Sequence, residues 1–218
     1  MKKLILPLLL LVAFGMLAAV ESDPSEVVGY VKYDIYAAKN NMIALPMVKT
    51  PTDYAMASDV GNAIPGATAV RWWDASGTTA LWRSCTKAGT IWPAATNFAV
   101  SNGKPLQVLT STAGAFYSIG DLPASPLPTY TLYAAKNNMI MVPLDRSDLV
   151  MASNVGNSIP GCTAVRWWDA SGTTALWRSC TKAGTIWPAA TNFATEIGDP
   201  LQVLTSTAGT WPAAKLSK

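Results

Sequence analysis

Thr68–Ala99 (TAVRWWDASGTTALWRSCTKAGTIWPAATNFA) recurs without a single change at Thr163–Ala194. Self-similarity of this length makes the repeat the unit of folding, so whatever one copy forms the other must form as well. The match extends outward. YAAKNNMI at Tyr36–Ile43 returns at Tyr133–Ile140, and PLQVLTSTAG at Pro105–Gly114 returns at Pro200–Gly209. The offset is 97 residues for Tyr36 and Tyr133 but 95 for Thr68 and Thr163, so two residues are lost in the segment where KTPTDYAM becomes DRSDLVM. Loops tolerate such a deletion and strands do not.

The chain therefore divides into residues 1–19, 20–32, 33–120, 121–129 and 130–218. Residues 1–19 (MKKLILPLLLLVAFGMLAA) join a basic start to an apolar run and end in small residues, the pattern of a secretory signal peptide. An uncleaved membrane anchor is the alternative, since a spanning helix needs about 20 apolar residues. Residues 20–32 hold a strand-like segment, 33–120 and 130–218 are the two copies, and the proline-rich 121–129 is an extended linker. Export to the outside or to the cell surface follows, with no span left after cleavage.

Within each copy the pattern is mainly β. NMIALP is a buried-strand run, TAVRWWDA and TTALWRSC flank a Ser76-Gly77 turn, and PLQVLTS is a further strand. Ser58 is placed to cap a short helix ending before Pro65-Gly66. The expected fold is two tandem, near-identical small β-sandwich-like domains, each with one short helix.

A turn centred on Ser76 pairs residues whose numbers sum to 152. Val70, Trp72 and Trp82 then face the core, while Arg71, Trp73, Arg83 and Cys85 face outward. Trp73 between two arginines suits a protein interface or a stacked sugar, or else covers apolar surface beneath a loop. Arg71, Trp73 and Arg83, with Arg166, Trp168 and Arg178 in the second copy, are the candidate interface or ligand surface.

Of the three cysteines, Cys85 and Cys180 are equivalent and Cys162 replaces Ala67. In the same register Cys162 faces Cys180, a candidate disulfide that leaves Cys85 as a free thiol. A Cys85–Cys180 bond, or three reduced and buried thiols, are the other arrangements.

Catalysis is not expected. The chain has no histidine, no repeated pair of carboxylates, no phosphate-binding loop and no nucleophile elbow. Asp74 and Asp169 sit where aspartate is ordinary turn chemistry. No cofactor or metal is expected. Lys and Arg are scattered rather than striped, so no nucleic-acid partner is expected.

The order NMIALP, ASDVGNAI, VRWWDA, LWRS and NGKPLQV resembles the tandem β-domain repeats of bacterial secreted and cell-surface proteins, which carry N-x-I-x-L-P, a W-D strand pair and a G-x-P strand. The resemblance implies fold and location and transfers no catalytic residues. The expected role is an exported, self-assembling structural subunit, a homo-oligomer or polymer forming a filament, tube or layer, because repeated surfaces on one axis propagate head to tail. A carbohydrate-binding or adhesive module with a polysaccharide partner is the alternative. SEVVGYVKY precedes copy 1 but PASPLPTY precedes copy 2, and Pro212 interrupts the end of copy 2. Copy 2 is thus expected to lack strands, leaving an edge for an N-terminal segment donated by a neighbouring subunit or supplied by the same chain.

Overall fold

The computed structural model describes residues 28–48, 54–123 and 127–212. The expected signal peptide lies outside them, as do residues 124–126 of the linker. Among the described residues, no helix is long and apolar enough to cross a membrane.

Copy 1 runs β1 (Val28–Ile35), β2 (Lys39–Ile43), α1 (Ala57–Ala63), β3 (Ala67–Asp74), β4 (Leu81–Thr86), a single 3-10 turn (Ala94–Thr96), β5 (Leu106–Thr110) and β6 (Gly114–Asp121). Copy 2 repeats this with β7 (Tyr130–Leu132), β8 (Lys136–Met141), α2 (Ala152–Ser158), β9 (Cys162–Asp169), β10 (Leu176–Thr181), its 3-10 turn (Ala189–Thr191), β11 (Pro200–Thr205) and β12 (Gly209–Trp211). Each copy holds a four-stranded antiparallel sheet, in the order β4-β3-β5-β2 or β10-β9-β11-β8, and a two-stranded ribbon, β1-β6 or β7-β12. The fold is mainly β, two similar domains with one short helix each.

In copy 1 the core unites Tyr33, Ile35 and Phe116 of the ribbon, Ile43, Val70, Cys85 and Val108 of the sheet, and Val60 of the helix. The equivalent core of copy 2 contains Cys162, Val165, Cys180 and Val203, and Trp211 closes it from the ribbon. The helix of copy 1 starts two residues earlier than the Ser58 cap implies. Met56 is the N-cap residue, and the Asp59 carboxylate accepts its backbone N–H at 2.8 Å. Ser58 instead exchanges hydrogen bonds with Asn97.

Three expectations are corrected. The hairpin does not turn at Ser76-Gly77. Trp73 pairs with Trp82, Trp72 with Arg83 and Val70 with Cys85, so partner numbers sum to 155. The cause is Asp74, whose Oδ1 accepts the Ser76 N–H at 3.0 Å and the Ser76 hydroxyl at 2.6 Å, opening a loop from residue 75 to residue 80. A three-residue change is odd and therefore exchanges faces along the second strand. Trp82 moves to the Trp73 side, and Cys85 moves into the core.

The same register separates the cysteines. Cys180 lies opposite Val165, and Cys162 lies opposite Thr205 beyond a bulge. All three cysteines are free and buried, so the Cys162–Cys180 disulfide is not formed and Cys85 is one of three reduced thiols.

Copy 2 does not lack its outer strands. β7 and β12 reproduce the β1-β6 ribbon at three residues each, ending just before Pro212. The N-terminal strand β1 is paired within the chain, residue by residue from Val28–Asp121 to Ile35–Gly114.

Candidate functional site

The repeated YAAKNN segment builds the junction between the copies. Asn41 accepts the Tyr36 N–H at 2.8 Å and donates to the Tyr36 and Lys39 carbonyls, pinning a tight turn in which Ala38 has φ 56°. Ala38 pays for that left-handed backbone with strain, and the turn presents Lys39 and Asn40 to copy 2. Lys39 donates to the carbonyls of Ala170, at 2.9 Å, and Gly172. The Asn40 carbonyl accepts the indole N–H of Trp168 at 2.7 Å.

Every one of these contacts has its mirror. Lys136 donates to Ala75, at 3.0 Å, and Gly77, and Trp73 donates to the Asn137 carbonyl at 2.7 Å. Tyr33 donates to the Gly198 carbonyl at 2.9 Å and Tyr130 to the Gly103 carbonyl at 2.8 Å. Gly198 (φ 87°) and Gly103 (φ 74°) are required there, because a Cβ on Gly103 would come within 2.7 Å of Pro128 and one on Gly198 within 3.1 Å of Val31. Reciprocal contacts of this kind define an isologous interface, here between two copies on one chain, and such an interface is closed.

The candidate surface residues are thus accounted for one by one. Trp73 and Trp168 are half-buried at the junction and pack edge-on against Trp82 and Trp177 at 5.3 and 5.2 Å. Arg71 donates to Asn40 and Gln107, and Arg166 to Asn137 and Gln202, so both support the turns of their own copies. Arg83 and Arg178 are exposed and pair with Asp74 and Asp169 at 3.1 and 2.9 Å. The serine hydroxyls of Ser76 and Ser171, followed by these arginines, hold both carboxyls below the ordinary carboxylate range. The Trp73 surface belongs to the junction rather than to open solvent.

Two clefts flank the junction, and they are equivalent by position but not by content. The larger, about 600 Å³, lies between the copy 1 residues Lys32, Asp34 and Tyr36 and the copy 2 residues Trp167, Phe193 and Asp199. The smaller, about 320 Å³, has Thr129, Thr131 and Tyr133 facing Trp72 and Lys104. Four carboxylates (Asp34, Asp169, Glu196, Asp199) and one lysine (Lys32) line the first, whereas Asp74 and Lys104 are the charged residues of the second. The first cleft is therefore acidic.

The difference arises mostly in one loop, SNGKP in copy 1 and EIGDP in copy 2. Lys104 sits with its ammonium 4.1 Å over the Trp72 ring and 5.5 Å from that of Phe98, and donates to the Ala99 carbonyl at 3.2 Å. At the equivalent position Asp199 turns back to accept the Glu196 N–H at 2.8 Å. Burial, reinforced by the Glu196 charge, pushes the Asp199 carboxyl up to about 6. Lys104, Glu196 and Asp199 are not among the sequence candidates, because likeness between the copies points away from them; the signal that marks them is the charge reversal between the aligned copies.

Among the described residues, no group of three or more His, Cys, Asp or Glu side chains is arranged to hold a metal ion. Ser84, Thr86 and Lys87 form no nucleophile–base pair, the two hydroxyls bonding one another at 3.0 Å and Lys87 lying over Trp92. Compared with protein-family models, curated proteins and solved structures, the chain matches none.

Proposed function

We propose that the protein is an exported, non-catalytic saccharide-binding module in which the two fused copies act as one binding unit. The observation that carries this reading is the cleft of about 600 Å³ between the copies, within the range of small-ligand sites and walled by the aromatic rings of Tyr36, Trp167 and Phe193. Flat rings beside a few polar groups suit a sugar, whose C–H faces stack while its hydroxyls hydrogen-bond. The reciprocal junction supports the reading, because it fixes both walls of the cleft without either wall depending on ligand.

The test is a pull-down of residues 20–218 on a panel of insoluble and immobilised polysaccharides. Retention that falls about tenfold or more in Trp167→Ala and Phe193→Ala supports the cleft as the binding site. Undiminished retention in both variants rejects it.

A self-assembling subunit is the second reading, favoured by the outer face of the β1-β6 ribbon. Tyr30 (67% exposed), Tyr117 (45%) and Ile119 (50%) stand together there, the two tyrosine rings 6.2 Å apart. Exposed apolar side chains gathered on one face suit a contact with a second copy. Filaments or sheets in negative-stain micrographs that vanish in Tyr30→Ser/Tyr117→Ser favour this reading, and monomers at every concentration remove it.

A further inference from the structure

The two copies differ at one aromatic seat, and that difference identifies what the larger cleft takes. In copy 1 the Trp72 and Phe98 rings, 6.3 Å apart, are occupied from within by the ammonium of Lys104. Copy 2 has the same pair, Trp167 and Phe193, at 6.2 Å and in the same relative tilt. Its own lysine is absent, since Asp199 stands where Lys104 does, and Glu196 replaces Ser101. The seat opens into the larger, acidic cleft, lined by Trp167, Phe193, Ala194, Glu196 and Asp199 together.

A ring face attracts a cation electrostatically, and more strongly when both are partly shielded from water. Carboxylates beside the ring add attraction for the same charge. Copy 1 thus serves as an internal picture of the liganded state of copy 2, with the ammonium supplied by the chain itself. We propose that the Trp167–Phe193 seat binds the free ammonium group of an amino sugar, with Glu196 and Asp199 as its counter-charges. This deepens the saccharide-binding reading and rests on it for the sugar part of the ligand.

Other charges at the cleft agree with this assignment. Lys32, the one lysine there, is held by Asp34 at 2.8 Å, and Asp169 is held by Arg178. Copy 1 offers no second seat of this kind, because Lys104 fills it and Thr131 stands where Asp34 does. One ligand per chain is expected.

Titration calorimetry on residues 20–218 near neutral pH tests the proposal with four probes: a glucosamine trimer, its fully N-acetylated counterpart, cellotriose and tetramethylammonium. The glucosamine trimer is expected to bind about tenfold or more tightly than the acetylated trimer or cellotriose, because acetylation removes the charge. Glu196→Ser/Asp199→Lys rebuilds the copy 1 arrangement and is expected to lose about tenfold or more of that affinity by filling the seat from within. The fold already accommodates that lysine at Lys104, and Glu196→Gln/Asp199→Asn tests the same charges with no change of shape.

Equal binding of the three sugars, or full affinity in both double variants, overturns the ammonium seat and leaves the saccharide reading standing. Equal affinity for tetramethylammonium and the glucosamine trimer, lost together in both variants, upholds the seat and removes the saccharide reading. No binding of any probe removes both.

Discussion

The indole N–H of Trp73 donates to the backbone carbonyl of Asn137 at 2.7 Å, and ninety-five positions later Trp168 makes the same bond to Asn40. Sequence identity in the repeat is here converted into a two-fold junction. Each tryptophan belongs to a strand of one copy and satisfies an edge-strand carbonyl of the other. Replacing both by phenylalanine keeps an aromatic ring at each position but removes the donors along with part of the indole contact area, leaving two carbonyls short of a partner. Trp73→Phe/Trp168→Phe is expected to lower stability by about 2–4 kcal/mol, from about 1–2 kcal/mol per lost bond, while retaining a single urea transition. A loss below about 0.5 kcal/mol would mean that these bonds add nothing to the junction.

The three buried thiols give a second test. Burial pushes the Cys162 thiol up to about 11, and its S–H donates to the Ala164 carbonyl at 3.4 Å. A thiol so far from ionised is a poor nucleophile at neutral pH. Native protein is expected to react slowly with a disulfide reagent and to release three equivalents once denatured without reductant. One equivalent on denaturation would indicate a disulfide and contradict the described state.

Helix α1 sets propensity against packing. Gly61 is buried, and a Cβ there would lie 2.2 Å from the ring of Trp92, whose indole N–H bonds Asn62 at 2.9 Å. Alanine in a helix gains about 1 kcal/mol over glycine, but overpacking costs about 1–3 kcal/mol. The clash is with a flat ring pressed on the helix backbone, so packing decides the sign. Gly61→Ala is expected to destabilise by about 1 kcal/mol in the wild type and to stabilise once Trp92→Ala removes the ring. The same sign in both backgrounds, measured by urea unfolding, refutes this account.

The repeat made the domain plan legible, because two copies of one sequence must share a fold, and the strand-like runs NMIALP and PLQVLTS overlap β2 over Asn41–Ile43 and β5 over Leu106–Thr110. The hairpin register did not follow. Ser76-Gly77 carries a genuine turn signal, but the Asp74 carboxylate captures Ser76 and widens the loop, a competition between two local interactions that composition does not rank. The junction left no local trace either. Trp73 looks like a surface residue within its own copy, and its acceptor lies 64 residues away. The charge reversal from Lys104 to Asp199 is visible in the sequence, as GKP against GDP, but its meaning depends on the ring beneath Lys104.

Stability and ligand binding should both depend on pH through Asp199. Its folded carboxyl titrates at about 6 against an ordinary 3.8, so the folded state holds the proton more tightly than the unfolded chain. The stabilisation from that proton is present in full below about pH 4 and is lost as pH rises through about 6. Asp74 and Asp169 act oppositely. Held below 3.8, they contribute stability above that value and lose it as pH falls further. The urea midpoint is therefore expected to rise as pH falls from 7 to 5, then to drop below about pH 4, with Asp199→Asn abolishing the first change alone. The same ionisation creates the counter-charge for an ammonium ligand beside Glu196, with Asp34 and Asp169 paired to Lys32 and Arg178. Glucosamine-trimer affinity should accordingly increase between pH 5 and 7 in the wild type, with release of protons into the buffer, and this increase should be reduced in Asp199→Asn. A wild-type urea midpoint that stays flat from pH 5 to 7, or one that Asp199→Asn leaves unaltered, contradicts the assignment of this titration to Asp199.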